Sequence, residues 1–263
     1  MTPRPIACIT GATAGIGLEF ARQLAAQQHD VVLVARDAGR LSATCTQLHE
    51  EFGVTATALS ADRSEAAGLA TVVGRIGASP CHVLVHNAGF GTKGLLHKTD
   101  GASQAAMVAL HVTATDALVR AALPGMRQRG SGHIIVVSSV ASYTPSAGNV
   151  NYSATKAYQR VFMESLALEL AGSGVTAQAL CPGFTHTEFH ARAHMNMSGI
   201  PSWLWLPANR VVRESLTAMA RGTPSVVVPG RRWRVITFLL RHLPLALLRR
   251  GARRYAGTRT ASP

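Results

Sequence analysis

Tyr152 and Lys156 are the residues of this chain best suited to acid–base chemistry. On a helix, their four-residue spacing places both side chains on one face, where an ammonium group stabilises a phenolate. An unperturbed tyrosine titrates near about pH 10, so a neighbouring cation would bring the phenol closer to proton transfer at neutral pH. Pairs of this spacing are also common on helix surfaces. A catalytic role therefore depends on what accompanies the pair, which here includes Ser139, thirteen residues before Tyr152.

A glycine-rich turn near the start of the chain is the second candidate for chemistry. Gly11, Gly15 and Gly17 follow an apolar run and open an amphipathic stretch. This arrangement lets the backbone turn sharply and brings the amides of a helix N-terminus to a pyrophosphate. Three glycines alone are weak evidence. Their position between a predicted strand and a predicted helix is what favours a dinucleotide site.

Short apolar runs alternate with longer amphipathic stretches along the chain, which is typical of βαβ units and a parallel sheet covered on both faces. Right-handed crossovers would place the carboxyl ends of the strands along one edge, where ligands bind. We therefore predict an α/β fold with one Rossmann-type, doubly wound domain and a seven-stranded parallel sheet. The predicted strands are 6–10, 31–35, 54–59, 83–86, 133–138, 175–180 and 226–228, and the predicted helices are 16–28, 41–52, 65–76, 102–129, 152–171 and 208–221.

Length, composition and charge narrow the class of protein. A chain of 263 residues with 47% hydrophobic residues can bury a sizeable core, which argues against disorder. The first apolar run is too short for a signal peptide, and the cysteines show no disulfide or metal spacing, so we expect reduced thiols and a cytoplasmic location. The net charge of +13 lies largely in a tail with nine arginines after Gly230. No nucleic-acid-binding motif accompanies that charge, so we predict no nucleic-acid partner.

The motifs between Pro5 and Gly230 resemble the short-chain dehydrogenase/reductase family. They are Thr10-Gly11 with Gly15 and Gly17, Asn87-Ala88-Gly89, Ser139 with Tyr152 and Lys156, and Pro182-Gly183. The resemblance implies hydride transfer between a nicotinamide and a carbonyl or secondary alcohol. It further implies that Tyr152 transfers the proton at the substrate oxygen and that Ser139 hydrogen-bonds this oxygen. Lys156 would lower the proton affinity of the phenol and bind the nicotinamide ribose.

The end of the second predicted strand indicates which dinucleotide binds. The family places an acid there for the ribose hydroxyls of NAD, whereas this chain has Ala35 followed by Arg36. A guanidinium favours a 2′-phosphate, so we predict NADP(H), with Arg36 as the main discriminator and Arg40 as a second cation. Two alternatives stay open: Arg36 as an ordinary surface charge, and an Asp37 carboxylate that faces the ribose. The predicted cofactor-binding residues are Thr10, Gly11, Thr13, Ala14, Gly15, Ile16, Gly17, Arg36, Arg40, Asp62, Arg63, Asn87, Ala88, Gly89, Tyr152, Lys156, Pro182, Gly183, Thr185 and Thr187.

Two histidines depart from the family pattern. We interpret His86, which stands where the family has an asparagine before Asn87, as structural. His111 stands where an asparagine usually helps to hold a water chain that reaches the lysine. It is either a fourth catalytic residue that adds a pH dependence to a modified relay, or a neutral space-filling substitute. The departure also leaves open a second hypothesis, in which the chain is a sensor or scaffold that binds NADPH with little turnover.

The end of the chain bears on substrate and partners. The family places a substrate lid at about residues 187–209, within a domain that would cover residues 1–230. The lid is rich in apolar residues here, which indicates an apolar or lipid-like substrate for a carbonyl reductase, or ordinary packing. His186, His190 and His194 recur every fourth residue, but nothing else supports a metal and none is predicted. The lid's apolar residues are Met195, Met197, Ile200, Trp203, Trp205 and Leu206.

Residues 231–263 form a basic, amphipathic C-terminal extension. It could lie on an anionic membrane surface with Trp233 and Phe238 inserted, cover the substrate cleft, or pack on a second subunit. The resemblance also implies a homo-oligomer that pairs through the predicted helices 102–129 and 152–171.

Overall fold

A computed structural model of the chain describes residues 3–193, 197, 199–222 and 225–242. Its main sheet has seven strands in the order β3-β2-β1-β4-β5-β6-β9, and every pair in it is parallel. The predicted seven-stranded, doubly wound parallel sheet is confirmed. The strands are β1 (Ile6–Thr10), β2 (Asp30–Ala35), β3 (Ala56–Ser60), β4 (Val83–His86), β5 (Gly132–Val137), β6 (Val175–Leu180) and β9 (Val226–Val227). A separate parallel pair joins β7 (Thr185–His186) to β8 (Leu206–Pro207).

Helices cover both faces of the sheet, as the alternation of apolar and amphipathic stretches predicts. The helices are α1 (Gly15–Ala26), α2 (Ala38–Phe52), α3 (Ala66–Gly77), α4 (Gly101–Val108), α5 (Ala114–Arg129), α6 (Val150–Glu169), α7 (Phe189–Arg192), α8 (Ala208–Ala220) and α9 (Arg231–His242). One core packs α1, α2, α8 and α9 against the sheet, and the other packs α3, α5 and α6. Fully buried side chains such as Phe20 and Met126 each stabilise the fold by about 1.5–3 kcal/mol.

The single helix predicted over 102–129 is continuous but irregular. One turn of π-helix, Ala109–Thr113, lies between α4 and α5. The helix Gly101–Arg129 is long and apolar enough to cross a membrane, yet 44% of the apolar window is buried inside the fold. It packs against the sheet and α3 as a core helix does. The π-turn matters because it carries His111 toward the active-site edge.

Candidate active site

The carboxyl ends of β1, β4, β5 and β6 meet at one edge of the sheet, as parallel strands require. Thr10 ends β1 and joins the end of β4 through its hydroxyl, which accepts the N–H groups of Asn87 and Ala88 at 3.1 Å each. The Asn87 amide donates to the carbonyl oxygens of Thr10 and Gly11 at 3.2 Å. Asn87 therefore holds the glycine-rich turn in shape with its own side chain.

The glycine-rich turn forms a cradle that only glycine can build. Gly11 and Gly15 have φ angles of +66° and +53°, in the left-handed region. A Cβ on Gly17 would overlap the Gly11 carbonyl oxygen, and one on Gly15 would lie 2.8 Å from a Thr187 methyl carbon. The N-terminus of α1 has no side-chain cap and no acid in its first turn. These free amides, with Thr13, Ala14 and Ile16 in the turn, fit an anionic pyrophosphate.

Two arginines lie at or just after the end of β2: Arg36, which is largely exposed, and Arg40, which has several partners. The Arg36 side chain is 74% exposed, and its Nη1 lies 3.6 Å from Asp62 Oδ2. Burial alone would raise the Asp62 pKa, but hydrogen bonds from Ser64 and the charge of Arg36 lower it below the usual value. Arg40 instead spans from the Thr13 carbonyl, at 2.9 Å, to Glu188, at 3.2 Å.

The Asp37 carboxylate is engaged at the N-terminus of α2. It caps α2 by accepting the backbone N–H of Arg40 at 2.9 Å. One of the two open alternatives for the dinucleotide is thereby disfavoured, because a capping carboxylate has its hydrogen-bonding direction committed to the helix.

The Arg63 side chain, which we predicted to bind the cofactor, is buried inside the protein. It is 5% exposed and donates to the Ala61 carbonyl at 3.3 Å, while its Nε has no partner among the described residues. Burial lowers its pKa to about 10, a shift that the charge of Asp62 opposes. Its guanidinium belongs to the interior, because a residue that follows a strand end can turn either toward the edge or back under the sheet.

The three residues of the expected catalytic group come together at the start of α6. The Lys156 ammonium lies 5.9 Å from the Tyr152 ring centroid, and the Ser139 side chain is close enough to the Tyr152 phenol to lower its pKa. Ser139 also accepts the Ala141 N–H at 3.1 Å, which leaves its hydroxyl hydrogen for the phenol or a substrate oxygen. Neighbouring Ser138 donates to the Lys156 carbonyl at 2.7 Å, so its hydroxyl fastens β5 to α6.

Without a bound cofactor, Lys156 does not lower the pKa of Tyr152 as we expected from the sequence. Burial raises the pKa of Tyr152 to about 12, and the nearby Ser139 side chain opposes this rise. Burial also lowers the pKa of Lys156 to about 7. Lys156 does not lower the Tyr152 pKa because its ammonium donates instead to the Val137 carbonyl at 2.8 Å and to Gln159 Oε1 at 2.9 Å.

His111 is buried and fully engaged. Its Nε2 accepts the Phe90 N–H at 3.3 Å, and its Nδ1 lies 2.9 Å from the Thr155 hydroxyl, which donates to the Tyr152 carbonyl. These partners assign the hydrogen to Nδ1. Burial, with the charge of Lys156, lowers the His111 pKa well below its usual value. Of the two interpretations left open, the geometry favours the neutral, space-filling one.

Gln159 is a residue of the site that the sequence motifs did not single out. It is fully buried, accepts from Lys156, and donates through Nε2 to the Thr115 hydroxyl at 3.1 Å. Thr115 in turn donates to the His111 carbonyl at 2.6 Å. A signal existed in the sequence, because Gln159 follows Lys156 by three residues and so shares its helix face.

His86, which we interpreted as structural from the sequence, has hydrogen-bond partners on both ring nitrogens. Its Nδ1 accepts the Thr10 hydroxyl at 3.1 Å, and its Nε2 donates to the Leu110 carbonyl at 3.2 Å. Burial lowers its pKa to about 3, so the ring is neutral. It therefore links β1, β4 and the π-turn beneath the glycine-rich turn.

The segment expected to form the lid has a fixed base. Leu206 N donates to the Phe184 carbonyl at 2.9 Å, and the β7–β8 pair closes the segment. From it the Phe189 ring reaches 6.0 Å from the Tyr152 ring. The Trp205 ring packs on Phe184 and His186, whereas Trp203 is exposed. Apolar residues of the lid thus serve both packing and the site.

The turn between β6 and β7, residues 181–184, lies beside the base of the lid. Pro182 accepts the Val140 N–H at 3.0 Å, the buried Thr185 hydroxyl donates to the Gly183 carbonyl at 3.0 Å, and Gly89 faces His111. Across the described ranges, no group of three His, Cys, Asp or Glu side chains could hold a metal. His194 and Met195 lie outside the described residues.

Comparison with known proteins gives the site its context. A family model for short chain dehydrogenases matches residues 5–197. The chain is 37% identical to "Uncharacterized oxidoreductase YmfI" of Bacillus subtilis, over 69% of this chain and 75% of that protein. It is 35% identical to retinol dehydrogenase 8 of Homo sapiens, over 79% of this chain and 71% of that protein. A solved short-chain dehydrogenase from Sphingobium yanoikuyae in complex with NADPH is 32% identical, with a TM-score of 0.82 over 98% of both chains.

Proposed function

Because the chain belongs to the short-chain dehydrogenase family, we propose that it is an NADP(H)-dependent oxidoreductase that interconverts a carbonyl and a secondary alcohol. The observation that carries the proposal is the meeting of Tyr152, Ser139 and Lys156 beside a glycine cradle built for a pyrophosphate. The bound dinucleotide supplies or accepts the hydride. NADPH usually serves as a reductant in cells, so the favoured direction is carbonyl reduction.

The chain's own residues account for the proton. With its pKa raised to about 12, the Tyr152 phenol is protonated at neutral pH and can donate to a carbonyl oxygen that gains charge. The Ser139 hydroxyl is held by Ala141 and can donate to the same oxygen, which stabilises the charge that develops there. Lys156 stands close enough to influence the phenol once its ammonium turns from Gln159 toward the cleft.

The preference for NADP(H) over NAD(H) rests on Arg36. Its guanidinium is exposed at the end of β2, and Asp37 is committed to the α2 cap, so no carboxylate competes with a 2′-phosphate from that position. We expect Arg36→Gln to weaken NADPH binding about 10- to 100-fold and to change NADH binding little, because hydrogen bonds to charged groups are strong. Fluorescence titration with both dinucleotides measures this, with Arg127→Gln on α5 as the matched control. Equal losses for NADPH and NADH would contradict the assignment.

An apolar, lipid-like substrate is favoured by the aromatic side chains around the phenol. Phe189 approaches Tyr152 from the lid side, and Phe90 approaches His111, so the reacting oxygen would sit between apolar rings. A relative named retinol dehydrogenase 8 is in keeping with this substrate class. The direct assay is NADPH oxidation against hydrophobic carbonyl compounds of graded chain length, with NADH as the control.

Tyr152→Phe tests the proposed chemistry. We expect turnover to fall below detection while NADPH binding changes less than about threefold, because the ring stays and only the proton donor is lost. Thermal unfolding with and without NADPH reports the binding. Substantial residual turnover in this variant would overturn the role of Tyr152.

The second candidate is a sensor or scaffold that binds NADPH and hardly turns over. One observation favours it: the Lys156 ammonium is held by Gln159 and Val137 rather than pointing at the phenol oxygen. Tight NADPH binding by the wild type, with no oxidation across the full panel of carbonyl and alcohol compounds, would favour this candidate.

We further propose a cytoplasmic homo-oligomer that pairs through α4–α5 and α6. In support, these helices expose Val108, Val161 and Leu168, which is 81% exposed. Leu168→Asp should then lower the solution mass measured by light scattering, and an unchanged mass would argue against pairing through α6.

A further inference from the structure

The C-terminal helix α9 has one face that is anchored to the domain. The Trp233 ring packs over Gly183, where a Cβ would overlap it, and its Nε1 donates to the Leu204 carbonyl at 2.9 Å. Thr237, one turn later, is also buried. Trp233 is therefore unavailable to a membrane, contrary to the expectation from sequence. This contact fixes which side of α9 faces outward.

The outward face of α9 is apolar and exposed. Val235, Phe238 and Leu239 are 60%, 64% and 54% exposed, and their spacing of three and four residues places them in one stripe opposite Trp233. We call these three residues the α9 stripe. Folding alone does not explain three large exposed apolar side chains on twelve residues, since the same helix already buries its other side.

Arginines surround the α9 stripe. The helix carries Arg231, Arg232, Arg234 and Arg241 and no acid. Glu214 balances Arg234 at 2.8 Å, whereas Arg231 and Arg241 have no ion-pair partner in the part of the chain that the structure describes. Three of these arginines lie in the first turn of α9, where their charges oppose the helix dipole. The sequence after residue 242 adds five arginines and no acid.

The lid adjoins this charged and apolar surface. The Arg232 guanidinium lies 5.6 Å from the Trp203 ring centroid and donates to the Trp203 carbonyl at 3.0 Å. Trp203 is 52% exposed. Because Arg232 precedes Val235 by one helical turn, it connects the exposed lid tryptophan to the α9 stripe.

We propose that the α9 stripe and Trp203 dock on an anionic lipid bilayer, with the apolar side chains at the acyl boundary and the arginines at the headgroups. An amphipathic helix with a basic rim is suited to this position. Docking would set the lid, and with it the entrance to the site, against the lipid from which an apolar substrate comes. The docking itself is independent of the proposed enzymatic activity.

Charge and chemistry argue against two other partners for this surface, a second copy of the chain and a nucleic acid. A second copy of this chain docked on this surface would bring the arginines of the two α9 helices, which have no acid of their own, face to face, and this contact would be repulsive. A nucleic acid would use the arginines but leave the α9 stripe without an apolar partner. An anionic bilayer satisfies both parts of the surface.

Flotation of the full chain with vesicles tests the proposal. We expect binding to phosphatidylcholine vesicles that contain phosphatidylglycerol, and little binding to phosphatidylcholine alone. Phe238→Ser/Leu239→Ser should reduce the partition coefficient by about tenfold or more, and Arg231→Gln/Arg241→Gln by about fivefold for each cation removed. The matched controls, Leu96→Ser and Arg213→Gln, remove an exposed leucine and an exposed arginine elsewhere and should change little. A cooperative thermal unfolding transition close to that of the wild type confirms that each variant is folded.

Four outcomes would overturn the proposal. One is a wild type that does not bind anionic vesicles. Another is binding that persists unchanged in both double variants, which would assign it to the residues after His242. A third is a lower solution mass for Phe238→Ser/Leu239→Ser without vesicles, which would reveal a second copy. The fourth is DNA binding as tight as vesicle binding that is lost only with the arginines. None of these readouts depends on turnover, so the proposed oxidoreductase activity can fail or hold independently.

Discussion

At the scale of single residues, the environment of Lys156 decides how the site handles protons. A buried ammonium needs acceptors, and this chain supplies two from the protein, the Val137 carbonyl and Gln159 Oε1. Neither an amide oxygen nor a carbonyl passes a proton onward. The Gln159–Thr115–His111 contacts therefore position the lysine. Gln159 thus acts through Lys156 as a positioning residue.

Two isosteric changes at Gln159 should shift the pH dependence of kcat/KM in opposite directions. Gln159→Leu removes an acceptor from a buried cation, so the limb governed by Lys156 should move to lower pH. Gln159→Glu places a carboxylate there, which favours the ammonium and should move the limb upward by about one pH unit. The profile of NADPH-dependent carbonyl reduction measures both.

Gln128→Glu, on the exposed end of α5, is the control for an added carboxylate elsewhere. Shifts in the same direction for both Gln159 variants would show a general packing defect and contradict the positioning role. So would two profiles that match the wild type.

At the scale of elements, hydrophobic patterning predicts the parallel sheet because buried parallel strands are apolar throughout and their helices are amphipathic. Motif residues on strand ends are equally predictable, since topology alone brings Thr10, Asn87 and Ser139 to one edge. Features that depend on local geometry cannot be predicted from hydrophobic patterning or topology. The π-turn at Ala109–Thr113 adds one residue per turn without any change of pattern. The inward turn of Arg63 and the network at Gln159 depend on which way a side chain points.

The contact of α9 with the lid base also lay beyond the sequence. Trp233 reaches Gly183 and Leu204 from the far end of the chain, and an amphipathic pattern identifies a buried face without naming its partner. This contact ties the C-terminal helix to the strand turn that follows β6. The contribution of the Trp233 contact to the free energy of unfolding can be measured directly.

Trp233→Ala should destabilise the protein by about 3–5 kcal/mol, since it leaves a cavity in place of a large buried side chain and removes the hydrogen bond to Leu204. Urea unfolding gives the free energy. Hydrogen exchange of the peptide Ser202–Pro207 should become faster, because its anchor is lost. The control is Trp203→Ala, an exposed tryptophan whose removal should cost less than about 0.5 kcal/mol. Equal exchange in both variants would mean that α9 does not hold the lid base.

At the scale of the whole molecule, buried histidines should govern stability in mild acid. In the folded protein the His86 pKa is about 3, whereas an unfolded histidine titrates near about 6.5. As the pH falls below about 6.5, His86 becomes protonated in the unfolded chain but stays neutral in the folded protein, so the free energy of unfolding decreases. His111, whose pKa is also lowered by burial, acts in the same direction. The stability that each supplies is fully present above the unfolded pKa.

His86→Asn should therefore flatten the acid limb by about 1 kcal/mol per pH unit between about pH 5 and 6. This window lies above the range in which unfolded carboxyl groups titrate and below the Lys156 pKa of about 7, so neither obscures the slope. The asparagine amide can still serve one of the two partners, Thr10 or Leu110. Urea unfolding at several pH values gives the slope, which is independent of any constant loss of stability. His97→Asn, on an exposed turn, should keep the wild-type slope, and a wild-type slope in His86→Asn as well would mean that His86 is not a buried neutral group in the folded protein.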